Sequence, residues 1–147
     1  MLEGCVGLTL DSKGRLALPV VFRESLGRQV VLTAHYSSLC LLLFPASEWE
    51  TVLVKIQHLP PQADRIRRHL IGNANRLVLD DHARIVIPPR LRRFAKFEKT
   101  LIMRGQISYC EIWDEIMLDE EEMSAIAMVR RQIQETGTPK GMENFSF

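Results

Sequence analysis

An internal repeat is the feature that most constrains how this chain folds. The phrase "LDSKGRLALPVVFR", residues 10–23, recurs 69 residues later as "LDDHARIVIPPRLR", residues 79–92. No gap is needed to align the two phrases, and four more apolar pairs lie between the identical ones: Leu16 and Ile85, Ala17 and Val86, Leu18 and Ile87, and Phe22 and Leu91. The identical pairs are Leu10 and Leu79, Asp11 and Asp80, Arg15 and Arg84, Pro19 and Pro88, and Arg23 and Arg92.

The same offset of 69 residues extends the alignment beyond these phrases. It places Val31 and Leu32 opposite Thr100 and Leu101, and Phe44 opposite Trp113. A register held this long indicates two copies of one structural unit. We expect the copies to join around residues 60 and 61, with a first unit at residues 1–59 and a second at residues 60–147.

Each copy has the pattern of a small, mainly β unit with short helices. Strands are predicted at residues 6–10, 15–18, 29–33 and 40–44, and again at 76–79, 84–87, 100–104 and 109–113, from their β-branched and apolar content. The proline that ends each short second strand suits a helix start, so helices are predicted at residues 20–26 and 89–94. Arg23 and Arg92 are expected to brace these two helices, with a role at an interface between subunits as the alternative.

Longer helices are predicted after each copy. Ser47 is a favourable N-cap for a helix in which Trp49 and Ile56 recur at helical spacing. A further helix is predicted at residues 63–71, with Ile71 among its inward residues. The last helix begins near Glu115 and is stopped by Gly137. It carries an apolar stripe formed by Met117, Met123, Ile126 and Ile133.

Composition narrows the class of protein. The hydrophobic fraction of 46% is sufficient for a folded core. No apolar run reaches the roughly 18 residues that span a bilayer, and the N-terminus lacks the pattern of a secretory signal, so a cytoplasmic protein without membrane contact is expected. Three dispersed cysteines, with no Cys-x-x-Cys pair, predict neither a disulfide framework nor a metal site.

The net charge of +1 conceals a separation of charge along the chain. Residues 1–110 contain 16 of the 19 Lys and Arg residues but only 9 of the 18 Asp and Glu residues, a balance of +7. Residues 111–147 contain the other 3 and 9, a balance of −6. A near-neutral total therefore leaves an anionic partner open for the first three quarters of the chain.

The turn between the first two strands has the chemistry of an anion-binding tip. The Asp11 side chain can accept backbone N–H groups and fix the turn, and Gly14 can adopt the positive φ that a tight turn requires. Lys13 and Arg15 are then presented on a rigid support. Two such cations suit phosphate oxygens, and arginine also suits the O6 and N7 edge of guanine.

The second copy keeps the frame of this turn and weakens its charge. Asp80 and Arg84 are retained, whereas the residues between them are Asp81, His82 and Ala83. Asp81 adds a negative charge, and a histidine is mostly neutral at pH 7. We therefore expect the first turn to be the main binding element.

These residues resemble the MraZ family of bacterial transcriptional regulators, which are encoded at the head of the division and cell-wall gene cluster. The resemblance rests on "LDSKGRLALPVVFR", "CLLLFPASEWE", "HLIGNANRLVLDDHARIVIPPRLR" and "EIWDE", which occur in order and cover about residues 1–118. It implies an α+β fold of two tandem AbrB-like swapped-hairpin units that form an intrachain pseudo-dimer, followed by a C-terminal helix.

The resemblance also implies a function and a site. It implies a repressor that binds double-stranded DNA at short direct repeats in its own promoter, as a ring-shaped homo-oligomer associated with the nucleoid. The family's Asp-x-x-x-Arg loop maps onto Asp11 and Arg15, and again onto Asp80 and Arg84. The DNA-binding residues expected are Lys13, Arg15, His82 and Arg84, and the residues expected to shape the turns are Asp11, Gly14 and Asp80.

Two other classes of function remain as alternatives. An enzyme is not expected, because no nucleophile–base set and no glycine-rich phosphate loop is recognisable, and no cofactor or small-molecule substrate is implied. An antitoxin-like or scaffold module that binds another protein through its C-terminal helix is the second alternative. Two fused units and a regular helix, in place of one unit with an extended tail, favour the regulator.

Overall fold

The computed structural model describes all residues from Met1 to Phe147 and confirms an α+β fold dominated by antiparallel sheet. The strands are β1 (Cys5–Thr9), β2 (Arg15–Ala17), β3 (Gln29–Ala34), β4 (Leu41–Pro45), β5 (Asn75–Val78), β6 (Arg84–Val86), β7 (Thr100–Gly105) and β8 (Cys110–Asp114). The helices are α1 (Val20–Leu26), α2 (Ala46–Gln57), α3 (Asp64–Gly72), α4 (Pro89–Phe94) and α5 (Glu115–Thr136), with a 3-10 turn at Pro61–Ala63 before α3.

Met1–Glu115 forms one compact unit, in which the two repeats exchange strands. The six-stranded sheet has the order β1-β7-β8-β4-β3-β5, and β2 pairs with β6 in a separate two-stranded ribbon. The outer strand of each repeat pairs with the hairpin of the other, as in the pairs β1 with β7 and β5 with β3. When each strand is replaced by its counterpart in the other repeat, the same strand order is obtained, read from the opposite edge of the sheet. This two-fold relationship confirms a pseudo-dimer within one chain.

The main core lies between one face of the six-stranded sheet and the ribbon with the two short helices. The inward residues of the ribbon, Leu16 and Ile85, are almost fully buried and join the cluster that contains Phe22 and Leu91 from the two short helices. Burial of each such side chain stabilises the fold by roughly 1.5–3 kcal/mol. The ribbon is therefore held against the core by both repeats at once.

The alignment at a constant offset of 69 residues is wrong for one strand pair. In the sheet, Ala34 pairs with Leu41 in the first hairpin, and Gly105 pairs with Cys110 in the second, so β3 corresponds to β7 at an offset of 71. Counted from the proline before each short helix, Pro19 or Pro88, the second repeat has two more residues before this strand, and it has two fewer in the following hairpin loop. Side chains alternate with a period of two, so a shift of two residues keeps every residue on its own face and leaves the hydrophobic pattern unchanged.

Three smaller expectations about the helices are corrected. Ser47 is not the N-cap of α2: the helix begins at Ala46, directly after Pro45, whose fixed φ prepares the first turn. Ile71 is 40% exposed, because α3 buries Leu70 at this end. Arg92 does not brace its own helix as Arg23 does, because its Nε has no hydrogen-bond partner and its guanidinium lies against Gly14 of the other repeat.

Residues 116–147 form a second unit, most of it the long helix α5. This helix ends at Thr136, where Gly137 adopts a φ of +82° and donates its N–H to the carbonyl of Ile133. The predicted apolar stripe is largely exposed: Met123 is 77% and Ile126 56% accessible. No helix in the chain is long and apolar enough to span a bilayer.

Candidate functional site

The turn at Asp11–Arg15 is closed around one carboxylate. Asp11 Oδ1 accepts the backbone N–H groups of Lys13 and Arg15 at 2.9 and 2.8 Å, and Asp11 Oδ2 accepts Arg15 Nε at 2.7 Å. The backbone closes the same loop through N–H donation from Gly14 to the Asp11 carbonyl at 3.0 Å. One aspartate therefore shapes the turn and fixes the arginine side chain.

The second turn repeats this geometry, bond for bond. Asp80 Oδ1 accepts the N–H groups of His82 and Arg84 at 2.8 and 2.9 Å, and Asp80 Oδ2 accepts Arg84 Nε at 2.8 Å. Ala83 donates its N–H to the Asp80 carbonyl at 3.0 Å. Ala83, in place of the glycine of the first turn, therefore does not abolish the turn.

The two turns reach the same shape from different residues. Gly14 has a φ of +76°, which glycine adopts without strain, whereas Ala83 has a φ of +55°. An L-residue in this left-handed region pays roughly 1–2 kcal/mol. The second turn therefore forms against a local conformational penalty.

Hydrogen bonding lowers the pKa of both aspartates. The backbone N–H of Arg15 is the main cause for Asp11, and the backbone N–H of Arg84 is the main cause for Asp80, whose pKa falls to about 2. Both carboxylates are ionised at neutral pH, so each remains an acceptor for its arginine. The Arg15 and Arg84 side chains stay 32% and 31% exposed.

The ribbon joins the two turns into one surface. Arg15 pairs with Val86, Ala17 with Arg84, and the buried Leu16 with Ile85. Residues opposite each other in an antiparallel pair share a face, so the outer face carries Arg15, Ala17, Arg84 and Val86. The two arginines occupy diagonal positions of this face, roughly 7–8 Å apart between Cα atoms.

Cross-repeat hydrogen bonds fix the position of each turn on the ribbon. Ile87 donates its N–H to the Gly14 carbonyl at 2.8 Å, and Leu18 donates its N–H to the Ala83 carbonyl at 2.9 Å. Each turn is thus held by the strand of the other repeat. Neither repeat alone provides this support.

The exposed tips of the turns differ in charge. Ser12 and Lys13 are exposed in the first turn, and Asp81 and His82 are exposed in the second. Asp81 Oδ1 lies 3.9 Å from Arg28 Nη2, and both side chains are mostly accessible to solvent. At such exposure the pair contributes little stability, but it offsets one more cation near the second turn.

Sequence reasoning missed the apolar members of this surface. Ala17 and Val86 are exposed on the outer face, where Val86 is 54% accessible. Their spacing of two residues from Arg15 and Arg84 is the signal that places them on that face. The structure contains no group of three or more His, Cys, Asp or Glu side chains that could hold a metal ion.

Comparisons with known proteins agree with this architecture. A family model described as "MraZ protein, putative antitoxin-like" matches the chain twice, at residues 1–69 and 70–135. The chain is 39% identical, over 100% of both sequences, to proteins named transcriptional regulator MraZ from Burkholderia cenocepacia and Burkholderia mallei. A relative from Burkholderia lata has the same name and the same identity over the same coverage.

Proposed function

Because the chain belongs to the MraZ family, whose relatives above are transcriptional regulators, we propose that it represses transcription by binding specific double-stranded DNA through the outer face of its β2–β6 ribbon. One observation carries the proposal: two aspartate-held arginines stand diagonally on that exposed face, supported from beneath by the core. Lys13 and His82 stand beside them at the tips of the turns.

The arginines are pre-organised for reading base edges. Asp11 and Asp80 each accept the Nε–H of their arginine, so the terminal amino groups of each guanidinium are left for other acceptors. Such a pair of donors matches the O6 and N7 acceptors of guanine. Because the side chains are already fixed, less conformational entropy is lost on binding.

The ribbon has the dimensions for the major groove. B-DNA admits a two-stranded β-ribbon in this groove, which is about 12 Å wide. Val86 and Ala17 would then face base edges between the arginines, where apolar side chains favour the methyl group of thymine. The four outward residues together form a reading surface of mixed polar and apolar contacts.

A single surface of this size binds DNA weakly. Each phosphate contact contributes only about 0.9 to the salt slope of binding, so two or three contacts give low affinity. Assembly of several copies on several operator repeats makes later contacts intramolecular and raises affinity roughly 10²–10⁴-fold. A ring-shaped homo-oligomer that binds short direct repeats fits this requirement. Its site of action is then the promoter of the division and cell-wall gene cluster, as a cytoplasmic protein associated with the nucleoid.

The test is a binding isotherm on the duplex immediately upstream of the protein's own gene, measured by fluorescence anisotropy across a salt series. Wild type is expected to bind this duplex more tightly than a scrambled duplex, and Arg15→Ala to lose most of that preference. Arg65→Ala, an exposed arginine on α3, is the matched control and is expected to bind as wild type does. Equal binding of both duplexes by wild type would contradict the proposal.

A second candidate is a protein-interaction module that acts through α5. Its support is the exposed apolar surface of that helix, which includes Met123, Ile126 and Met128. The same isotherms separate the two candidates. A folded protein that binds neither duplex at low salt favours the interaction module over the regulator.

A further inference from the structure

The two ends of the ribbon are flanked by different helices. An open cleft of about 640 Å³ runs beside the first turn, and its walls combine Asp11 and Ser12 of the first repeat with Arg92, Arg93 and Lys96 of the second. The strand exchange thus brings the helix of one repeat to the turn of the other. Arg93 and Lys96 are exposed in this cleft.

Arg92 shows how closely the helix region approaches the turn. A Cβ at residue 14 would lie 2.7 Å from Arg92 Nη1 and 2.8 Å from its Cζ, so the absence of a side chain at Gly14 admits the guanidinium. The corresponding Arg23 instead donates its Nε–H to the carbonyl of Leu18 at 2.8 Å, whereas the buried Arg92 Nε has no hydrogen-bond partner. An arginine from the second repeat therefore packs across the glycine of the first turn.

The helix beside the first turn is far more basic than its counterpart in the other repeat. Residues 89–99 contain five Lys or Arg residues and one carboxylate, Glu98, whereas residues 20–28 contain two cations and one carboxylate, Glu24. Lys13 lies in the turn beside the basic segment, and Asp81 lies in the other turn. Positive charge is therefore concentrated at one end of a pseudo-symmetric surface.

We propose that Arg93 and Lys96 form a phosphate-binding surface that holds the DNA backbone beside the first turn. The inference rests on the proposed function and adds a second class of contact to it. Two exposed cations in an open cleft suit the phosphates that flank a base read by Arg15. Asp11 does not oppose them strongly because its carboxylate is engaged by Arg15 and the turn, and Glu98 is the one opposing carboxylate on the helix side.

The surface gives the pseudo-dimer a strong end and a weak end. The first turn joins base reading to backbone contacts, while the second turn lacks the basic helix. Phosphate contacts fix register and orientation without carrying sequence information. Each chain thus binds DNA in one preferred orientation. Direct operator repeats require this, because every repeat runs in the same direction and is bound by a chain in the same orientation.

The experiment compares full-length wild type with Arg93→Gln/Lys96→Gln on the upstream duplex and on a scrambled duplex of equal length. Loss of two phosphate contacts is expected to lower the salt slope by about 1.8 and to weaken binding roughly 10- to 30-fold on both duplexes at about 0.15 M salt. The ratio of the two affinities should stay unchanged. Circular dichroism confirms that each variant is folded.

Arg65→Gln/Arg68→Gln is the control, because it removes two exposed cations from α3 and changes the net charge equally. It is expected to keep the wild-type salt slope. Equal slopes for both double variants, with sequence-specific wild-type binding that Arg15→Ala removes, would overturn this inference alone. An absence of sequence-specific binding by wild type would overturn the proposed function as well.

Discussion

Arg92 lies across Gly14, with its Nη1 only 2.7 Å from the position that a Cβ of residue 14 would occupy. Gly14 serves two purposes there, since it also has a φ of +76° in the turn that carries Lys13 and Arg15. A Cβ at this position would therefore meet both an unfavourable backbone conformation and a side chain from the other repeat. The second turn has an alanine at the matching position.

Gly14→Ala is expected to lower the free energy of unfolding by about 1–2 kcal/mol, because an L-residue must adopt positive φ. The guanidinium of Arg92 is flexible at its end and is expected to move aside, so the overlap itself adds little. Urea denaturation measures the change. An unchanged unfolding midpoint and slope would show that the turn relaxes to another conformation without cost.

Ala83→Gly is expected to have the opposite effect. It relieves the left-handed strain of Ala83, and the greater flexibility of glycine in the unfolded chain offsets part of the gain. A net stabilisation of up to about 1 kcal/mol follows. The control is Ala17→Gly, in strand β2 of the same ribbon, which should lower the free energy of unfolding by roughly 0.5–1 kcal/mol. A loss of similar size in the Ala83→Gly variant would refute the strain argument.

Rebuilding the second turn should strengthen DNA binding. The triple substitution Asp81→Ser/His82→Lys/Ala83→Gly copies the first turn onto a frame whose hydrogen bonds are already the same. It removes one negative charge and adds one positive charge, so tighter binding with a steeper salt slope is expected by anisotropy. Asp81→Ser alone separates the removed charge from the added one. Weaker binding by the triple variant would show that the second turn serves another purpose.

Acid is expected to remove the contribution of Asp80 to stability. Its pKa is lowered from 3.8 to about 2 in the folded protein, so this contribution is complete above pH 4 and is lost as the pH falls towards 2. Asp80→Asn should therefore be less stable than wild type at neutral pH, and the difference should shrink between pH 4 and pH 2. Urea denaturation across that range measures it. A difference independent of pH would exclude the ionised carboxylate as its source.

Several elements followed from local signals in the sequence. The helices predicted at residues 20–26 and 89–94 match α1 and α4, because a proline fixes φ just before each first turn. The repeat predicted two copies of one structural unit, and the resemblance to the MraZ family implied that the copies form a pseudo-dimer. The positions of Asp11 and Asp80 in their turns followed from the side-chain hydrogen bonding that aspartate offers.

Other features depend on long-range geometry that no local pattern encodes. The register of β7 was missed because a shift of two residues preserves the alternation of faces. The approach of Arg92 to Gly14 arises from strand exchange between the repeats. The exchange could be predicted from the sequence, but the distance between the Arg92 guanidinium and Gly14 could not. The exposure of Met123 and Ile126 on α5 shows that an apolar stripe indicates a helix but not what covers it.

The most direct test of base reading by the ribbon is a binding cycle that combines Arg15→Ala with 7-deazaguanine in the upstream duplex, which removes the N7 acceptor of each guanine. Wild type should lose at least about 1–3 kcal/mol of binding free energy on the modified duplex, whereas Arg15→Ala should lose less, because only Arg84 can still reach a guanine N7. Equal losses for wild type and Arg15→Ala would contradict the assignment of Arg15 as the residue that reads guanine.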